Sequence, residues 1–246
     1  GSVRISDDNI RMDLLGMFDF RNELPEFDFT LNLGKSNLYK LNFDKSDSTS
    51  RLAALLTANF RGNNIDNLFG EIKLLNSTLV KHGATLELYD FSLKAFNEES
   101  RPAISLRTDF VNADLRGYYE FGEIRDVIKK AMARLMPSKF IPPEDKNFAS
   151  RNDFSFTLNF KNTDKINNFF RTKLLLSDKS IISGEFRGDT VIRIDADLKK
   201  VDYRNNIFND LNVTAAYISD KFNADIKSSS VSLLGMAQLR DFGASM

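Results

Sequence analysis

The chain has 246 residues, no cysteine, one histidine, and 34 basic against 34 acidic side chains. Lacking cysteine, it has no disulfide framework, thiolate nucleophile or thiolate-held metal, and His82 alone cannot build a His-rich metal site. Zero net charge lacks the basic excess of a nucleic-acid binder, so no nucleic acid is expected as a partner.

Phenylalanine occurs 22 times and tryptophan never. Phe favours strands and its whole side chain is apolar. No window approaches eighteen uninterrupted apolar residues, so no membrane-crossing helix is expected in this stretch. Gly1-Ser2 reads as a cloning remnant. The chain is therefore expected to be a piece of a longer protein whose signal or anchor lies elsewhere.

Val3 to Phe20 reads as two short strands, with Ile10, Met12 and Leu14 alternating before Leu15-Gly16, and Phe18 and Phe20 after it. Asn22 to Pro25 is a turn. Phe27, Phe29, Leu31 and Leu33 then alternate strictly, the mark of a strand with one buried face. The alternation resumes at Leu41 and Phe43, at Ala58 and Phe60, and at Ile72 and Leu74. Turn chemistry separates these runs at 34–37, 44–50 and 62–64. Further strands are expected at Ala84-Leu86-Leu88, Phe91-Leu93-Ala95, Ile104 to Phe110 and Ala113-Leu115, with Tyr118 to Phe121 closing the series.

At Gly122 the period changes. Ile124, Val127, Ile128, Ala131, Met132 and Leu135 are spaced at three and four, which predicts an amphipathic helix over 122–136, stopped by Pro137. Arg125, Lys129, Lys130 and Arg134 lie mainly off the stripe. Residues 138–151, with Pro142-Pro143, read as a linker or long loop.

The second half restarts with Phe154-Ser155-Phe156-Thr157-Leu158-Asn159-Phe160. It echoes Phe27-Asp28-Phe29-Thr30-Leu31-Asn32-Leu33 almost residue for residue. Thr163 to Leu174 is a candidate short helix. Strands follow at Ile182–Phe186, Ile192–Leu198, Leu211–Tyr217, Phe222–Ile226 and Val231–Leu233. Phe-Arg-Gly closes a strand twice, at 60–62 and 186–188. These paired landmarks predict a weak duplication: a first β module over 3–137, a linker over 138–151 and a second module over 152–246. The fold class expected is mainly β, with antiparallel strands in a curled sheet or groove, or in repeated β modules, and one or two short helices.

No catalytic or metal-binding constellation stands out, so neither a cofactor nor an enzyme is expected. His82 precedes Gly83 between strands and reads as a turn residue rather than a base. Asp195 and Asp197 alternate with apolar neighbours and read as the wet side of a strand. The basic helix residues Arg125, Lys129, Lys130 and Arg134 are candidates for contact with lipid head groups, against the commoner solvated helix face. The apolar faces are the strongest functional candidate. Phe27, Phe29, Leu31, Leu33, Leu86, Leu88, Phe154, Phe156, Leu158 and Phe160 line either a filled core or a groove for acyl chains. Alternation alone does not separate these two.

The run Phe60-Arg61-Gly62-Asn63-Asn64-Ile65-Asp66-Asn67-Leu68-Phe69-Gly70-Glu71-Ile72-Lys73-Leu74 resembles TamB-type proteins of Bacteroidetes-like bacteria. Phe18 to Phe27 and Leu38-Tyr39-Lys40-Leu41-Asn42-Phe43 resemble them too. The likeness covers about Ile10 to Pro137, and the remainder only in style. It implies membership of the AsmA-like envelope proteins. These have an inner-membrane anchor and a periplasmic stack of strands forming a groove, apolar inside and polar outside. The implied role is outer-membrane biogenesis: phospholipid transport between membranes, or assembly of outer-membrane proteins with a barrel partner of the TamA or BamA type. The sequence departs from that pattern in its helices, which would interrupt or plug a continuous groove. Two further readings remain at this stage: a chaperone-like scaffold that binds proteins by strand addition, and a segment of an outer-membrane barrel.

Overall fold

The computed structural model describes residues 1–135, 141, 150–219, 221–235 and 237–245. Met136, Pro137 and most of the expected linker lie outside these described residues.

The chain is mainly β. Its strands are β1 (Ser2–Ser6), β2 (Ile10–Asp19), β3 (Glu26–Asn37), β4 (Arg51–Arg61) and β5 (Phe69–Lys81). Then come β6 (Ala84–Glu98), β7 (Arg101–Thr108), β8 (Val111–Tyr118), β9 (Asp153–Phe160) and β10 (Leu174–Leu176). The last are β11 (Ile181–Arg187), β12 (Val191–Tyr203), β13 (Asn206–Ile218), β14 (Lys221–Leu233) and β15 (Ala237–Ser245). All fifteen belong to one open antiparallel sheet whose strand order follows the sequence. Only β10 leaves the path, lying end to end with β11 along β12.

Sequence neighbours pair because their connections are tight. His82-Gly83, Glu99-Ser100 and Arg204-Asn205 each join two strands with two residues of positive φ. That is the turn geometry whose twist matches the strands it joins. His82 is therefore the first residue of a hairpin turn.

The chain divides into two compact units. One comprises Gly1–Phe96, Ile104–Asn112 and Asp164–Thr172; the other comprises Asn97–Ala103, Ala113–Thr163 and Lys173–Met246.

The helices are excursions from the ladder. Helix α1 (Phe121–Leu135) occupies the connection between the neighbouring strands β8 and β9, and α2 (Asp164–Phe170) the connection after β9. Strand pairing runs past both. Val127 and Ala131 are buried as the stripe predicts, whereas Ile128 is exposed and Ala133 buried in its place. Asn152, only 1 % exposed, ties α1 to the start of β9. Its Oδ1 accepts the Glu120 N–H at 2.8 Å, and its Nδ2 donates to Ser150 Oγ at 2.7 Å and to Glu123 Oε2 at 3.3 Å.

Several elements differ from expectation. Leu41 and Phe43 lie in a turn, because Asn42 adopts φ 64° and Leu41 N–H bonds back to the Asn37 carbonyl at 3.0 Å. Ala84–Leu88 and Phe91–Ala95 are one strand, β6, as are Phe222–Ile226 and Val231–Leu233 in β14. The second helix ends at Phe170, and Leu174 belongs to β10.

Candidate functional site

Strand register assembles the alternating residues into rows. In the first unit, Phe18, Phe27, Phe60, Gly70 and Ala95 are successive partners across β2 to β6. The next row is Gly16, Phe29, Ala58, Ile72 and Leu93, and the next Leu14, Leu31, Leu56, Leu74 and Phe91. Leu33 pairs with Met12 and Ala54, and past a bulge Ser77 pairs with Leu88. The last row is Ile10, Ser36, Leu52, Leu79 and Leu86. Neighbouring strands thus present one apolar face. The opposite face carries such residues as Asp28, Thr30 and Asn32, all exposed.

The second unit repeats the arrangement. Its rows are Phe154, Phe186, Ile192, Tyr217 and Phe222, then Phe156, Gly184, Ile194, Ala215 and Ala224, then Leu158, Ile182, Ala196, Val213 and Ile226. Phe160 follows at the end of β9, half-buried, its N–H donating to the Ser180 carbonyl at 2.8 Å.

The two strand pairs that carry the echoed sequence have matching geometry. Phe27 stacks on Phe60 with ring centroids 4.7 Å apart, and Phe154 on Phe186 at 5.0 Å. Gly62 N–H donates to the Pro25 carbonyl at 3.0 Å, and Gly188 N–H to that of Asn152 at 2.6 Å. In both pairs an acid faces the arginine of Phe-Arg-Gly, Glu26 opposite Arg61 and Asp153 opposite Arg187.

Glycines let aromatic rings lie close over the sheet. Gly184 faces Phe156 across the ladder, and a Cβ there would meet the ring at 2.8 Å. Gly16 faces Phe29 and Gly70 faces Phe60, where an added Cβ would meet the partner's Cα and Cβ rather than its ring. A glycine in a strand marks such a close approach.

Burial separates lining from core. Phe27, Phe29, Leu31, Leu33, Leu88, Phe156 and Leu158 are half-buried, while Leu86 and Phe154 are buried. The largest fully buried side chains are Val127, Asn152, Thr108, Ser36, Ser50 and Ser180; no Leu, Ile or Phe is among them. Phe186, Ile192 and Tyr217 in the first row of the second unit are buried as well. Ser77, only 4 % exposed, projects from the same side of β5 as Leu79, and its Oγ has no hydrogen-bond partner. A depression of about 400 Å³ is lined by Met17, Glu26, Phe27, Asp28, Asn59, Phe60, Arg61, Phe69 and Gly70, so residues of the first apolar row and polar residues beside them both wall it.

Arg125 is exposed, Lys129 lies 3.6 Å from Asp126, and Lys130 is paired with Asp189. Arg134 is on the last turn of α1. Phe18, Phe60, Phe186 and Tyr217 belong to the apolar rows and stand in alternating runs of the sequence, but were not among the groove candidates. The recurring Phe-Arg-Gly was the available signal for two of them.

Among the described residues no three His, Asp or Glu side chains come together as a metal site. No described helix is long and apolar enough to cross a membrane. Compared with known proteins, the chain matches no family model, no curated protein and no solved structure.

Proposed function

We propose that this chain is a periplasmic segment of a TamB/AsmA-like envelope protein, acting in outer-membrane biogenesis as a non-catalytic carrier of acyl chains. The observation that supports this is the pair of apolar faces, each at least five strands wide, on which most large side chains are only half-buried, although Leu86, Phe154, Phe186, Ile192 and Tyr217 are buried. Such a face solvates hydrocarbon. Each methylene removed from water stabilises by about 0.8 kcal/mol, so a phospholipid tail is held without any specific contact. On this reading the partners are phospholipid and an outer-membrane barrel of the TamA or BamA type. The whole protein would be anchored to the inner membrane by a helix outside this stretch.

Native mass spectrometry of the protein purified from bacterial cells tests the reading. The expected result is a population carrying lipid mass that exchanges with added phospholipid. A protein that is lipid-free, and that takes up no phospholipid from detergent solution, would sink it. A second reading, strand addition to client proteins, has one supporting observation: every residue of the edge strands β1 and β15 is exposed. Exposed edges are templates for pairing.

A further inference from the structure

We propose that the loop joining β3 to β4, residues 38–50, is a docking element for an anionic bilayer surface. Its tip presents Phe43 at 80 % exposure and Tyr39 at 40 %. A single exposed aromatic needs no explanation. Here two aromatics alternate with two lysines, Lys40 and Lys45, within seven residues.

The tip is held in this posture. Phe43 N–H and Asp44 N–H both donate to the Leu38 carbonyl, at 2.9 and 3.1 Å, and Asn37 Oδ1 accepts the Lys40 N–H at 3.0 Å. Two clasps fix the loop to the β5–β6 hairpin. Asp44 pairs with Lys81 at 2.8 Å, and Asp47, itself buried, accepts the His82 backbone N–H and the Thr49 N–H and hydroxyl. The clasps therefore occupy both acids of the loop. Lys40 and Lys45 have no ion-pair partner among the described residues, so the tip shows the outside a basic, aromatic surface. Anionic head groups attract exposed lysines, and aromatic side chains settle at the membrane interface.

The loop also sits at a meaningful place. It leaves β3 after Asn37, one residue beyond Ser36, whose row with Leu52, Leu79 and Leu86 is the last apolar row at that end. Lys81 projects from the same side of β5 as Leu79. A bilayer touched by Phe43 would lie at the end of the face proposed to carry acyl chains. The role in lipid loading rests on that proposed function, whereas the docking itself does not.

The test is co-sedimentation of the protein with vesicles of phosphatidylcholine alone or of mixed phosphatidylcholine and phosphatidylglycerol. Binding is expected only to the mixed vesicles and is expected to weaken as salt screens the lysines. Phe43→Ser should weaken it about tenfold, as expected for one aromatic withdrawn from the interface. Phe43→Trp should restore it, with a blue-shifted emission on binding. Lys40→Gln with Lys45→Gln should abolish the preference for phosphatidylglycerol. Unchanged binding of Phe43→Ser, equal binding to both vesicles, or no binding at all would overturn the proposal. The last outcome, joined to a Phe43-dependent protein crosslink in cells, would assign the tip to a protein instead. Lipid mass retained by Phe43→Ser in native spectra would separate failed docking from failed acyl-chain carriage.

Discussion

Phe27 lies face to face with Phe60 across β3 and β4, the planes 22° from parallel. Phe154 and Phe186 repeat the contact in the second unit at 18°. The two pairs differ in burial: Phe27 and Phe60 are half-buried, whereas Phe154 and Phe186 are buried. Truncation should therefore cost unequally. Phe186→Ala is expected to destabilise by about 3 kcal/mol or more, the range for a buried Phe. Phe60→Ala should cost roughly half as much, since less area is withdrawn from water. Urea denaturation of the two variants measures the difference, and a larger loss at Phe60 would contradict the ranking.

Glycines in the strands should be less replaceable than glycines in the turns. Gly70 has φ 130°, and a Cβ there would meet Phe60 Cα at 2.5 Å, as well as the Asn59 carbonyl. Backbone cannot give way as a flexible side chain can. Gly83, with φ 73°, has nothing within 4 Å. Gly83→Ala should cost about 1 kcal/mol, the strain of a left-handed alanine. Gly70→Ala should cost several times that or prevent folding. Expression and thermal unfolding of both variants decide it; a tolerated Gly70→Ala would mean that the ladder relaxes more than this geometry allows.

Much of this architecture was legible because period two over four residues is hard to produce by chance. Phe27 to Leu33 and Phe154 to Phe160 are strands, and each faces a strand ending in Phe-Arg-Gly. Shorter alternations mislead: Leu41 and Phe43 differ by two positions yet flank a left-handed Asn42. Gly16 looked like a break but lies within β2, where it makes room for Phe29. β15 was missed because Leu239 and Phe242 are three apart and give no period-two signal. Asn152 was illegible for another reason: a single buried amide that satisfies its neighbours leaves no pattern in the sequence. The lining was only partly legible, since alternation names the face but not what covers it.

The clasps on the loop should respond to acid in a defined direction. The His82 backbone N–H, then the Thr49 N–H, hold the Asp47 carboxyl below the usual carboxylate range. Lys81, then Ser46, hold Asp44 below it too. A carboxyl with a depressed folded pKa contributes stability that is complete above its unfolded value, about 3.9. That contribution is lost as pH falls through the folded value. The loop should therefore be indifferent to pH near neutrality and loosen only below about pH 4. The amide resonances of His82 and Thr49, followed by NMR during acid titration, report the step. Asp47→Asn should remove it; a step that persists in this variant would contradict the assignment to Asp47.

Acyl-chain carriage makes a positional prediction that stability measurements cannot. Leu31→Asp would bury an unpaired carboxylate whether the face is a core or a groove, so its cost discriminates nothing. Leu31→Met and Phe156→Leu should be tolerated in either case, because apolar exchanges of similar volume cost little. Photo-crosslinking from a benzophenone side chain at position 29, 31, 156 or 158 in growing cells does discriminate. These positions are half-buried on the apolar rows. Thr30 and Ser155 are exposed on the other side of the same strands and serve as controls. If the rows carry acyl chains, lipid adducts appear at the four inward positions and not at the two controls. If the rows are sealed, the inward probes give only adducts within the chain. Protein adducts concentrated near β1 or β15 would favour strand addition. The prediction also extends along the strand. From the Gly70 row to the Leu79 row β5 rises about 30 Å, at roughly 3.3 Å per residue. That is about twice the depth of one leaflet's hydrocarbon, since the bilayer core is about 30 Å thick. A probe at Leu74, midway, should therefore capture lipid as well as probes nearer either end. Capture confined to one end would mean that the face holds a tail at its rim only, and the carrier reading would give way to a local lipid site.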